Sequence, residues 1–229
     1  MINKGFIITI EGTDGSGKQT QTKKLLEYMQ AKGEHVISQS FPNYQSPSSG
    51  PVKMYLGGEL VEHAGEFSAY QSSVLFAADR LCTYYNKIKP YYEKGYTIIF
   101  DRYVESNLLH QASKLASLEE RKSFVEWLVN LEYKTLRLPQ PNMVIFLNMP
   151  VEKSLELAHA RVELKNGESK DIHEADISHL TNAYKVGMEM AQTLGWNIVD
   201  CVHANGTIKT IEEIHEEIKT LVSSVQKGE

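Results

Sequence analysis

Gly12-Thr13-Asp14-Gly15-Ser16-Gly17-Lys18 stands between an apolar run, Phe6-Ile7-Ile8-Thr9-Ile10-Glu11, and a helical pattern carrying Leu25, Tyr28 and Met29. Strand, glycine loop and helix in that order, with G-x-x-x-x-G-K spacing, make the phosphate-binding P-loop pattern. The glycines let the backbone turn sharply and point successive N–H groups inward at a phosphate. The helix behind adds its positive end, and Lys18 adds a mobile cation for the outer phosphates. The strand before, the helix after and the lysine in place argue against an ordinary Gly-rich turn. Where a Ser or Thr hydroxyl usually meets Mg²⁺ stands Gln19, and the hydroxyl arrives one residue later as Thr20. Gln19 could offer its amide oxygen to the metal, or carboxylates could hold the metal through water.

Working outward, 229 residues with 41% apolar and 23% charged content suit a soluble α/β protein with a real core. The formal charge of −5 argues against a general nucleic-acid binder. Cys82 and Cys201 lack C-x-x-C spacing, no basic-then-apolar leader opens the chain, and no apolar run reaches membrane-spanning length. A reduced, cytoplasmic setting without a membrane is the expectation.

Further strands are expected at 35–40, 97–100, 143–147 and 196–199, alternating with helices at 66–88, 118–136, 151–161, 176–194 and beyond 207. Residues 45–51, with two prolines, three serines and a glycine, read as a loop. In helix 66–88 the apolar stripe runs Phe67, Tyr70, Val74, Ala77, Leu81, Tyr84 and Ile88. Asp79 and Arg80 lie off it or at its border, and their ordinary reading is a solvated face. Asp101-Arg102-Tyr103 ends a short buried strand, where a carboxylate can reach a metal or its waters and an arginine can clamp phosphate. A structural salt bridge is the competing reading. Residues 162–174 are polar and glycine-containing between helices, a candidate lid. His173-Glu174 starts a zinc-type pattern, but Ile177 occupies the place of the second histidine. The alternation predicts one domain, residues 1–229: a five-stranded parallel sheet flanked by helices in three layers, with a short lid.

In order and spacing, the following stretches together resemble the thymidylate kinase family over nearly the whole chain: Glu11 to Lys18, Phe41-Pro42, Leu75-Phe76-Ala77-Ala78-Asp79-Arg80, Asp101-Arg102-Tyr103 with Ser106-Asn107, Pro141 to Pro150, and Trp196 to Thr207. The resemblance implies the P-loop NTPase fold and transfer of the ATP γ-phosphoryl group to a deoxynucleoside monophosphate, dTMP first, with Mg²⁺. By position it implies that Lys18 and the loop Gly12, Asp14, Gly15, Ser16, Gly17, Gln19 and Thr20 bind ATP. Asp14 would face the acceptor sugar, Phe76 would stack on the base, and Arg80 would hold the acceptor phosphate or base edge. Phe41, Pro42, Tyr44, Ser106 and Asn107 would complete the acceptor side. Asp101, with Gln19, would place the metal, and Arg102 would bridge the two phosphates. Arg161, with Lys165, would bring transition-state charge from the lid, because the position where some members carry an arginine inside the P-loop is Gly15. The family is usually dimeric, so a homodimer is implied, with helix 66–88 as one candidate face.

The departures are specific. Gln39, Ser40 and Tyr44 stand where an arginine often grips the acceptor phosphate, and Asp171-Ile172-His173-Glu174 lacks the lid arginine. Each charged hydrogen bond is worth roughly 1.5–3 kcal/mol, so unreplaced losses would cost roughly two to four decades in efficiency. Lys170 and His173 are candidate substitutes. Two other readings stay open: a kinase of the same fold for another pyrimidine nucleotide or a nucleoside, and a nucleotide-binding protein with little or no transfer.

Overall fold

The structure, a computed structural model, describes residues 4–63, 65–164 and 177–227. Five strands form one sheet: β1 (Phe6–Glu11), β2 (Val36–Ser40), β3 (Thr97–Asp101), β4 (Met143–Asn148) and β5 (Asn197–Asp200). Their order is β2-β3-β1-β4-β5, and every pairing is parallel. Central strands β1, β3 and β4 are almost wholly buried, as near-continuous apolar runs between two helical layers must be. Because all strands point the same way, their carboxyl ends gather on one edge, where open α/β sheets bind ligands.

Two apolar clusters sit on opposite faces. One packs Leu25 and Met29 of α1 (Lys18–Ala31) and Ile214, Ile218 and Val222 of α9 (Ile211–Lys227) against Ile8, Ile10, Ile99 and Ile145. The other packs Ile7, Ile98 and Phe100 against α3 (Ala69–Thr83), α6 (Leu118–Val129) and α8 (Ile177–Thr193). The short helices α2 (Gly50–Leu56), α4 (Lys89–Tyr92) and α5 (Glu105–His110), with α7 (Val151–Leu164), complete the element order. No helix among the described residues is long and apolar enough to cross a membrane. Cys82 and Cys201 are free thiols.

Three expectations are corrected. Residues 45–51 are a loop only at Gln45 and Ser46: Ser46 accepts a hydrogen bond from the Ser48 amide, Pro47 fills the first helical position, and a 3-10 turn (Pro47–Ser49) runs into α2. Ser-Pro here starts a helix, because proline lacks only an N–H that a first turn leaves unbonded. Helix 66–88 begins at Ala69 under a reciprocal Ser68–Gln71 capping box and passes into a π-helical turn at Tyr84–Ile88. Its inward face is Ala69, Ser72, Ser73, Ala77, Arg80 and Thr83, while Tyr70 and Val74 are exposed. Asp79 and Arg80 are buried, not solvated. Ser72 and Arg80 turn inward because their polar groups find partners on other elements, Gln111 and Glu132, and that pairing overrides the apolar stripe. Most of the candidate lid lies outside the described residues: 162–164 continue α7, and Lys165, Lys170 and Asp171 to Glu174 fall outside, as does the side chain of Arg161.

Candidate active site

The P-loop leaves β1 at Glu11 and closes at Gly17, whose φ of 92° caps α1. Lys18 folds back so that its Nζ donates to the Thr13 carbonyl at 2.7 Å. Burial and the nearby Arg102 lower its pKa to about 8. The hydroxyls of Thr13 and Ser16 are buried without a hydrogen-bond partner among the described residues. Unsatisfied donors and a buried cation around a backbone concavity suit a polyphosphate. Gly15 has φ +81°, and a Cβ there would come within 2.4 Å of the Ser154 carbonyl oxygen in the first turn of α7. No side chain, and so no arginine, fits at this point of the loop.

β3 delivers Asp101 and Arg102 beside the loop. Arg102 has φ 68°, a left-handed conformation rare outside glycine. Its amide donates to the Ile10 carbonyl, and its guanidinium binds the Asp14 carboxylate and contacts His110 at 3.0 Å. Asp14, Glu11 and Asp101 hold its pKa above the ordinary arginine range. Asp14, expected at the acceptor sugar, is thus tied to Arg102, and the two residues couple the loop to the strand end. Buried Glu11 accepts from the Tyr103 amide at 2.9 Å and from the Ser106 hydroxyl at 2.7 Å. Burial raises its pKa, against the opposing pull of Arg102. Ser106 therefore braces the strand end, whereas the buried amide nitrogen of Asn107 has no partner among the described residues.

A cavity of 380 Å³ joins these parts, lined on the loop side by Asp14, Gly15, Gly17, Lys18 and Gln19 and on the strand side by Asp101 and Arg102. Phe41, Pro42, Tyr44, Phe76, Arg80, Ser106 and Asn107 line the far side. Gly12, Ser16 and Thr20 do not line it: the first two build the loop from behind, and Thr20 lies in the first turn of α1. Phe41 lines the wall yet serves chiefly as core, 4% exposed and packed on Phe100 and Tyr103. Asp101 is buried at the strand end and Gln19 is exposed.

Several lining residues were not anticipated. Asp79 accepts from the Asn43 amide at 2.7 Å and the Ser48 hydroxyl at 2.6 Å, fastening the Phe41-Pro42 segment to α3. His110 and Gln111 complete the wall. Behind it, Glu132 grips Arg80 through Nε and Nη2, while Arg80 Nη1 donates to the Tyr103 carbonyl at 3.3 Å. The signal for Glu132 was present: it continues the i, i+4 row of buried Phe124 and Leu128, where a carboxylate needs a partner.

A phosphate loop facing, across one cavity, a strand-end Asp-Arg pair and an aromatic-arginine wall defines a P-loop phosphotransferase. The thymidylate kinase family profile matches residues 10–218. A probable thymidylate kinase of Pyrococcus abyssi is 30% identical, over 96% of both chains. The thymidylate kinase of Mycobacterium tuberculosis (H37Rv) is 31% identical over 83% of this chain and 87% of its own. The solved thymidylate kinase of Candida albicans superposes with a TM-score of 0.70 at 21% identity, covering 99% of this chain and 94% of that one. The chain belongs to the thymidylate kinase family.

Proposed function

We propose that this protein transfers the γ-phosphoryl group of ATP to dTMP, giving dTDP and ADP. The observation that carries the reading is the continuity of the cavity: Lys18 and the loop open at one end, Phe76, Arg80 and Asn107 at the other, with Asp101 and Arg102 between. Phosphoryl transfer asks the protein mainly for positioning and positive charge around the moving group. Lys18 and the loop amides would hold the ATP phosphates, Phe76 would stack on the thymine, and Arg102, already tied to Asp14, would meet both phosphates. Arg161 and Lys165 would add lid charge over the transferring group.

Mg²⁺ fits the residues present. This ion takes one or two carboxylates and completes its octahedron with phosphates and water, and no group of three or more ligating side chains stands among the described residues. Asp101 would hold it, directly or through water, with Gln19 alongside. It would supply charge neutralisation for the phosphates that Lys18 and the loop amides would hold.

The same reading takes residues 1–229 as one kinase domain with a lid near 162–174, working in the cytoplasm on small nucleotides, as a homodimer. Exposed Tyr70 and Val74 on α3 offer apolar surface for a second copy. Light scattering that gives a monomer mass at working concentration would remove the dimer.

A second acceptor has one observation in its favour: Gln39, Ser40 and Tyr44 in place of a phosphate-gripping arginine. The deciding experiment is ADP release from Mg-ATP against dTMP, dUMP, dCMP, dGMP, UMP, CMP, thymidine and no acceptor. Strong preference for dTMP is expected. Preference for another acceptor would make the 39–44 segment a specificity determinant, and ATP binding without acceptor-stimulated release would leave only a nucleotide-binding protein.

A further inference from the structure

Behind the acceptor end of the cavity lies a lysine with no place in the phosphate chemistry. Lys114 closes the short 3-10 turn Ala112–Lys114, and its three ammonium hydrogens have three acceptors: Tyr55 Oη at 2.9 Å, the Phe67 carbonyl at 3.2 Å and Ser72 Oγ at 3.2 Å. An ammonium only donates, so Ser72 must accept from it. The nearest acceptor for the one proton of Ser72 is Gln111 Oε1 at 2.6 Å; the Ser68 carbonyl is farther, at 2.9 Å.

Gln111 is 1% exposed and lines the cavity. An amide has two orientations of nearly equal shape, and its surroundings choose between them. Here the cation behind Ser72 attracts the carbonyl end of the amide dipole and repels the NH₂ end. The site is partly buried, where such a field is weakly screened. Burial lowers the pKa of Lys114 to about 8, so the side chain is a cation at neutral pH. With Oε1 held inward, Gln111 offers the cavity N–H groups. The Asn107 amide nitrogen and Arg80 are also donors.

We infer that Lys114, acting through Ser72, is a positioning residue that fixes the polarity of Gln111, so that the acceptor wall favours a carbonyl-bearing pyrimidine edge over an amino-bearing one. The inference rests on the acceptor reading above and goes beyond it by naming residues outside the contact wall as the source of selectivity. Thymine carries a carbonyl where cytosine carries an amino group, and a donor facing that amino group leaves two donors unpaired. Sites that hydrogen-bond their substrate reject mismatched analogues for this reason.

The test is kcat/KM for dTMP and for dCMP, with Mg-ATP, in the unaltered protein, Lys114→Met, Lys114→Arg and Ser72→Ala. The dTMP:dCMP ratio should fall about tenfold in Lys114→Met and Ser72→Ala, because the amide can then turn over. Lys114→Arg, which keeps the charge, should retain the ratio, and the KM for ATP should stay put in all of them. A purely structural role would lower both substrates together. An unmoved ratio in a folded Lys114→Met or Ser72→Ala protein overturns the inference; if Lys114→Met does not fold, Ser72→Ala decides. Normal dTMP turnover with an unmoved ratio removes this inference alone, whereas no dTMP turnover in the unaltered protein removes the acceptor reading and this inference with it.

Discussion

Arg80 and Glu132 form a salt bridge in which both side chains are out of solvent, Arg80 on α3 and Glu132 on a π-helical turn, Asn130–Thr135, that follows α6. The pairing takes Nε and one hydrogen of Nη2, and the Tyr103 carbonyl takes one of Nη1. What remains for the cavity is a pair of N–H groups in a fixed plane with most of the charge already compensated. An arginine so neutralised is better suited to a neutral carbonyl edge than to a phosphate. That favours the base-edge role over the phosphate role, both of which its position allows.

Breaking such a pair leaves a buried charge alone, which costs about 3–5 kcal/mol. Glu132→Ala should therefore destabilise the protein by about that amount in urea unfolding. Glu132→Gln keeps the shape and should unfold less readily than Glu132→Ala. It should raise the acceptor KM and leave the ATP KM alone. Equal movement of both KM values would remove Arg80 from the acceptor end.

Lys18 predicts a pH dependence of ATP binding. Its pKa in the ligand-free protein is lowered to about 8, and bound polyphosphate favours the protonated form. Below pH 8 the proton is already in place and affinity should be flat. Above it, binding must take up a proton, and affinity should fall by up to about tenfold per pH unit. Titration calorimetry from pH 7 to 9.5 would show this, with a buffer-dependent proton uptake. Lys18→Arg should bind without that slope, and Lys18→Ala should abolish transfer while leaving the thermal transition in place.

At Gly15, the left-handed backbone and the Ser154 carbonyl together exclude a side chain. Gly15→Ala should lower stability by about 1–3 kcal/mol and weaken ATP binding. Gly15→Arg should not supply catalytic charge; it should lower activity further. A Gly15→Arg protein with full or raised turnover would show that α7 yields and that the loop does not depend on this contact.

The strand-loop-helix of residues 6–31 was legible because each part has a local cause: an unbroken apolar run, glycine freedom with a lysine at P-loop spacing, and a helical stripe of Leu25, Tyr28 and Met29. Asp101 and Arg102 were legible as strand-end groups. The acceptor wall was less so. In α3 the apolar stripe pointed to Tyr70 and Val74, yet Ser72, Asp79 and Arg80 are buried, because these hydroxyl and charged side chains found partners on other elements. Those partners, Gln111, Asn43 and Glu132, are distant in sequence, and no local pattern joins them. The π-helical turns left no mark in the periodicity either, since an extra residue in one turn shifts the register only after it has occurred.

Glu105 gives the protein a stability signature that can be measured without any ligand. It sits buried at the start of α5; the Tyr133 hydroxyl donates to Oε1 at 2.5 Å, and Oε2 has no partner among the described residues. Burial raises its pKa from 4.5 to about 7; Tyr133 opposes the shift and Glu11 adds to it. A carboxyl with a raised folded-state pKa holds its proton more tightly in the native protein than in the unfolded chain. Its contribution to stability is complete below pH 4.5 and is lost as pH rises to about 7. The loss amounts to about 3 kcal/mol at most, and it stays constant above that window. Glu105→Gln keeps the size and removes the titration. The melting temperature of the variant minus that of the unaltered protein should therefore climb between pH 5 and pH 7 and level off by pH 8. Taking the difference cancels Glu11, Lys18 and other groups common to both proteins. A difference that does not vary with pH would place the proton elsewhere and leave Glu105 ionised in its pocket.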